Sequence, residues 1–258
     1  MIITKNRQNR HLPKGLFVLY EDKEVIVINK PVGLLVVGTE RDKLRTVHFI
    51  LNEYVRKGNS KSRNRIYIVH RLDRDTSGIL VFAKSEQAQK HLQDHWAETE
   101  KIYLAIVHGR MSPQEGQISS YLTENSALNV YSTPDPLKGK LSHTVYRTLK
   151  EAKGLSLLEI TLLTGRKHQI RVHLAEKGHP VAGDKKYGKK GDGQKCMALH
   201  AQSIVFTHPV TGKLLSFATE VPERFVRLIG NYSPVSRVAD EPGQEAGGED
   251  HDSLETPR

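Results

Sequence analysis

One cysteine in 258 residues, Cys196, excludes an intrachain disulfide and any zinc site built on several thiolates. It reads as a small filler rather than a nucleophile. Long hydrophobic runs are missing as well: the longest, such as Val25-Ile26-Val27-Ile28, are strand-sized, whereas a spanning helix needs roughly 20 apolar residues. The opening Met1-Ile2-Ile3-Thr4 passes at once into polar residues 5–10, so no secretion signal is expected and the chain reads as cytoplasmic. Acids are outnumbered, 29 Asp and Glu against 39 Lys and Arg, for a formal charge of +10. The body is more basic still, because residues 233–258 hold seven acids and two arginines, a net −5 that leaves +15 on residues 1–232. Such a surplus attracts polyanions, since neutralising phosphates releases their counterions.

With 37% hydrophobic residues the chain can build a substantial core. Residues 1–15 form a basic arm without apolar period, 16–232 a globular body, and 233–258 an acidic tail whose prolines and glycines predict disorder. Residues 16–20 and 24–29 read as two strands around a polar turn. Helices are expected over 46–57, capped by Thr46, over 85–96, capped by Ser85, and near 168–177 and 222–229. Further strands are expected at 102–107, 143–149, 155–163, 201–207 and 213–219. In the first of these, Tyr103, Ala105 and Val107 share one face and Ile102, Leu104 and Ile106 the other. Strands that outnumber helices without alternating regularly with them predict an α+β fold with a mixed, largely antiparallel sheet and flanking helices. The stretch 57–65 has four positive charges and no apolar residue, which makes it a loop suited to RNA backbone.

The segment His70-Arg71-Leu72-Asp73-Arg74-Asp75-Thr76-Ser77-Gly78 sets a carboxylate between two arginines on a turn leading into the apolar run 79–83. Nearby guanidinium groups keep Asp73 ionised, and a loop held against a rigid strand is a usual seat for chemistry. A capped strand entrance with a surface ion pair would look the same from these charges alone. The whole run, however, resembles the signature of the RluA family of RNA pseudouridine synthases. Asn29-Lys30-Pro31-Val32-Gly33, Lys101-Ile102-Tyr103, Gly165 through Leu174, and Gly183-Asp184-Lys185-Lys186-Tyr187-Gly188 match further motifs of that family in the same order.

The resemblance implies a pseudouridine synthase fold over residues 16–232 with a central basic cleft, and an enzyme that isomerises uridine in structured RNA, of ribosome or transfer RNA. It implies Asp73 as the essential carboxylate, Arg171 as its partner and Tyr103 as a stacking residue linked to proton removal. Arg71 is then expected to fill the gap left by a flipped uridine, with Arg74, Lys101, Arg166, Lys167 and His168 facing RNA. No metal, nucleotide or other cofactor and no membrane partner is implied, and a monomer is expected. Many relatives carry a small RNA-binding domain ahead of the catalytic one, where this chain has about 15 residues. The competing class is a non-catalytic RNA-binding protein or RNA chaperone of the same fold.

Asp75, in the variable pair before Thr-Ser-Gly, reads as a capping or surface acid rather than half of a carboxylate pair. Residues 183–190 imitate a phosphate-binding loop, but Lys190 stands where Ser or Thr would hold magnesium. His91 and His95 are four apart on an expected helix, yet Leu92 replaces the glutamate of a zinc-protease motif, so a surface pair is expected.

Overall fold

A computed structural model describes residues 2–3, 12–38, 42–59 and 61–232. The acidic tail and most of the basic arm lie outside the described residues. In chain order the elements are β1 (Ile2–Ile3), β2 (Phe17–Glu21), β3 (Val25–Lys30), α1 (Val47–Arg56), β4 (Tyr67–Ile68), β5 (Ser77–Ala83), α2 (Glu86–Asp94) and β6 (Glu100–His108). They continue as β7 (Glu115–Glu124), β8 (Val130–Thr133), β9 (Lys140–Ala152), β10 (Leu155–Leu162), α3 (Gln169–Glu176), β11 (Leu199–Thr207), β12 (Leu214–Ala218) and α4 (Glu223–Ile229).

The strands join in one 12-stranded sheet whose main path runs β2-β3-β5-β11-β6-β10-β9-β7-β8. Pairing is antiparallel except between β5 and β11 and between β1 and β12, so the sheet is mixed and largely antiparallel within an α+β fold. Every residue of β5 is buried, as befits a strand covered on both faces. It meets β11 over only two positions, Ser77 opposite His200 and Gly78 opposite Ala201. Beyond that seam the two strands part, β4 pairing with β5 and β12 with β11. Gly78 makes the seam possible: its φ is +117°, and a Cβ there would collide with the Ala201 backbone.

The expected helix caps are present. Thr46 Oγ1 accepts from the Phe49 amide at 3.2 Å and Ser85 Oγ from the Ala88 amide at 3.1 Å, satisfying donors that the first helical turn leaves open. In β6 the predicted alternation holds: Tyr103, Ala105 and Val107 enter one hydrophobic cluster, Leu104 and Ile106 another on the opposite face with Phe225 and Ile229. Those two faces seat the sheet between α1 and α4.

Three expectations change. Ile2 and Ile3 pair in parallel with Phe217 and Ala218, so the start of the arm is a short strand. Cys196 is exposed and fills no core. Strands β7 and β8 were not expected, because β7 places only Ile118 and Leu122 in the interior and its sequence lacks apolar alternation. The described parts of the 57–65 stretch, 57–59 and 61–65, hold no helix or strand, with Lys61, Arg63 and Arg65 exposed.

Candidate active site

A cleft of about 950 Å³ opens beside the β5 to β11 seam and is lined by residues 70–76, Tyr103, residues 165–171 and residues 183–186, among others. Four pieces of chain far apart in sequence therefore meet there. Asp73 lies on the loop before β5, partly exposed, and its Oδ2 accepts from Arg171 Nη1 at 2.7 Å. Arg171 projects from α3, an eight-residue helix in which Gln169 through Leu174 are all buried. A solvent-facing arginine is thereby excluded. Two further donors go to Asp184: Nε to Oδ2 at 2.7 Å and Nη2 to Oδ1 at 2.8 Å. The Tyr187 ring lies 5.1 Å from the guanidinium carbon.

Asp184 is fully enclosed and also accepts from the amides of Lys186 at 2.9 Å and Tyr187 at 3.1 Å. Burial alone would push its carboxyl up, but the bonds and charge of Arg171 and the two amides outweigh it and hold the group below the usual carboxylate range. Burial likewise opposes the Arg171 charge, and Asp184 and Asp73 overcome it, so the guanidinium stays protonated. The residues imitating a nucleotide-binding loop thus serve as a turn that grips Arg171. Gly183, with φ +77°, passes so near the Cys196 carbonyl that no side chain would fit.

The Asp73 loop is seated from behind by Lys30, a fully buried lysine at the end of β3. Its Nζ donates to the carbonyls of Pro31 at 2.9 Å, Leu34 at 2.9 Å and Arg74 at 3.0 Å, one acceptor for each ammonium proton. Burial draws its pKa down to about 7, with Asp75 and Asp73 pulling the other way. The Gly33 amide bonds the same Arg74 carbonyl at 2.8 Å, and Arg74 Nε returns to the Gly33 carbonyl at 3.2 Å. On the other flank, Arg224 of α4 donates to Ser77 Oγ at 2.6 Å, and Ser77 bonds His200 Nδ1 at 2.8 Å. His200 Nε2 meets Thr219 Oγ1 at 2.8 Å; burial and the Arg224 charge drive this histidine to about 3, so it is a neutral link.

Tyr103 is buried in the cleft wall, and its hydroxyl is pushed well above the usual phenol range by burial and by the charge of Asp73. It presents a protonated aromatic face. His70 accepts from the Val81 amide at 3.0 Å and packs 4.4 Å from the Trp96 ring, neutral because burial and Lys101 lower it to about 3.

The expected RNA-facing residues divide. Arg71, Arg74 and Arg166 are exposed on the cleft lining. Lys167 is exposed and paired with Glu124. Lys101 is buried, with Nζ on the Trp96 carbonyl at 3.0 Å and against the Trp96 ring, so its charge packs the wall rather than offering itself to a phosphate. His168 turns inward beside Asp73, and Asp75 is an exposed lining residue. His91 and His95 stack on each other at 4.4 Å, and no metal-ligating cluster occurs among the described residues. No helix among the described residues is long and apolar enough to cross a membrane.

Lys30, Asp184 and Tyr187 went unassigned in the sequence although their motifs stood out. A lysine inside the apolar run Val25 to Lys30 was the available signal for the first. For Asp184 there was none beyond the motif, since its partner lies across a helix and a turn.

The family model for RNA pseudouridylate synthase matches residues 24–176 of this chain. An uncharacterized RNA pseudouridine synthase of Bacillus subtilis is 35% identical over 223 residues, spanning 85% of this chain and 73% of the relative. The ribosomal large subunit pseudouridine synthase C of Rickettsia bellii is 33% identical over 218 residues, 82% of this chain and 70% of that one. The solved human RNA pseudouridylate synthase domain containing 4 superposes with a TM-score of 0.68 at 24% identity, covering 81% of this chain and 90% of the other, and so shares the fold. With a matching family model and relatives at this identity, the chain belongs to the RluA family of RNA pseudouridine synthases.

Proposed function

We propose that the chain isomerises a uridine of ribosomal RNA in the cytoplasm, with Asp73 as the essential carboxylate. The observation that carries this reading is the 2.7 Å contact between Asp73 and a guanidinium that two further bonds anchor on Asp184. Arg171 aims the carboxylate through one oxygen, while the second carboxylate oxygen remains for substrate. Isomerisation breaks the bond from the sugar to N1, turns the base and joins the sugar to C5; the C5 proton leaves to water and N1 takes up a proton in its place. Asp73 serves the first step, by attack or by taking a sugar proton. Tyr103 stacks on the base and, being a protonated phenol, relays the late proton rather than starting as its base.

A uridine must leave its stack to enter the cleft, and Arg71 at the rim supplies a planar cation for the vacated place. Arg74, Arg166 and Lys167 contact backbone phosphates. Ribosomal RNA is favoured over transfer RNA by the name of the Rickettsia relative. Residues 16–232 constitute the catalytic domain.

The test is tritium release from RNA labelled at C5 of uridine, using large-subunit ribosomal RNA and transfer RNA transcripts. Release from ribosomal RNA by wild type and none by Asp73→Asn is expected. Unchanged release by the variant would refute the role of Asp73, and release from transfer RNA alone would refute the substrate.

A further inference from the structure

The Asp73 carboxylate has two oxygens, and Arg171 occupies one of them. Facing the other is His168, whose Nε2 lies 3.8 Å from Asp73 Oδ1. That distance exceeds a hydrogen bond, but the ring is not free to drift. Its backbone adopts φ +54°, a left-handed conformation that is costly outside glycine and persists where surroundings enforce it. Its Nδ1 is 2.8 Å from the Tyr187 hydroxyl, which also accepts from the Val130 amide at 3.0 Å. Tyr187 is in turn fixed by the turn that grips Arg171.

The proton positions follow from satisfying each group. If the Tyr187 O–H donates to Nδ1, the phenol has an acceptor, Nδ1 has a donor, and the neutral imidazole carries its proton on Nε2. In the opposite arrangement no described residue accepts the phenol proton, which is left to solvent at a partly buried ring. An unprotonated Nε2 would then turn its lone pair toward a carboxylate. Both considerations select the Nε2–H form. The charged and titratable groups around the ring are Asp73 from the loop before β5, Arg171 on α3, Lys167 beside it, and Asp184, Lys186 and Tyr187 from the turn. Burial, with Arg171, Lys186 and Lys167, lowers the histidine below its ordinary value against the pull of Asp73, which keeps the second proton off.

We infer that His168 is a positioning residue whose Nε2–H, set by Tyr187, holds the free oxygen of Asp73 when substrate closes the 3.8 Å gap. It deepens the assignment of Asp73 as the reactive carboxylate and rests on it. Arg171 and His168 would then clamp the carboxylate from two sides, leaving it one orientation toward the sugar.

Two measurements test this on the full chain. Imidazole ¹⁵N spectra of histidine-labelled protein, with His168 assigned from the His168→Gln spectrum, should show a protonated Nε2 and bare Nδ1 at neutral pH. In Tyr187→Phe that single tautomer should be lost. A protonated Nδ1 in the wild type overturns the inference without any RNA present. In the tritium-release assay, His168→Leu should lower kcat about 100-fold with KM little changed, while His168→Gln, which carries the same backbone cost and an N–H of similar reach, should recover most of it. Equal kcat for the Leu and Gln variants overturns the inference. Because Asp73→Asn is run alongside, an active Asp73→Asn refutes the proposed function, whereas an inactive Asp73→Asn with a fully active His168→Leu refutes this inference alone.

Discussion

Two carboxylates share one guanidinium, and they live in opposite conditions. Asp184, in the turn at 183–188, is fully enclosed, holds Arg171 through two bonds and takes two backbone amides besides. Asp73, in the loop at 70–78, is partly exposed, takes one bond from Arg171 and keeps an oxygen open to the cleft. On the proposed mechanism the same guanidinium is structural at one end and serves the reaction at the other. Enclosure and bonding make the difference: a carboxylate shut off from solvent with four donors on it is an anchor, and one reached by a single donor at a cleft can do chemistry.

The contrast breaks most decisively at Asp73. Asp73→Asn should lower turnover about 10³-fold or more while leaving thermal stability nearly unchanged, read by tritium release and by melting. A large loss of stability would mean that the two acids are not different in kind. Asp184→Asn should do the reverse, destabilising the fold by about 3–5 kcal/mol because a buried guanidinium loses its main partner. Its pH dependence has a definite sign. A carboxylate whose folded pKa is depressed adds stability that is complete above the unfolded value near 3.9 and is lost as pH falls through the folded value. The stability gap between wild type and Asp184→Asn should therefore be flat from about pH 5 to 8 and narrow only below about pH 4. A gap that changes across neutral pH would point to another group.

Lys30→Met sharpens the comparison from behind. It removes the lysine donor from the Pro31 and Leu34 carbonyls and leaves the Arg74 carbonyl, on the Asp73 loop, with the Gly33 amide alone, and should cost about 1–3 kcal/mol with a fall in kcat larger than any change in KM. Arg71→Ala should have the smallest effect. It removes an exposed cation and should weaken RNA binding several-fold and reduce the salt dependence of binding by about one ion, with melting unchanged.

The fold was legible where pattern and local chemistry agreed, as in the Thr46 and Ser85 caps and the alternation of β6. It was illegible in β7 and β8, whose residues lack apolar period; β7 is placed by its long-range pairing with β9, and β8 by its pairing with β7. At the site, the motif resemblance brought Asp73, Tyr103 and Arg171 forward, and the structure places all three on one cleft. The support for them was hidden. A buried Lys30, an enclosed Asp184 and an inward His168 are polar groups that find partners across the fold, and a linear pattern carries no sign of such partners. Lys101 illustrates the converse: a basic residue near the cleft whose charge is turned to the Trp96 carbonyl.

The seam between β5 and β11 has a mechanical side. Asp73 belongs to the chain entering β5 and Tyr103 and Arg171 to elements on the β11 side, so the reacting groups straddle a join only two residue pairs wide. The join is short but not loose, because Ile79, Val81 and Ala83 of β5 share one buried cluster with Ile204 and Phe206 of β11. Gly78 sets how closely the two strands approach, and the Asp73 to Arg171 pair ties the loop before β5 to α3 across the cleft. The spacing between carboxylate and guanidinium is thus a property of the packed framework, in place before any RNA arrives.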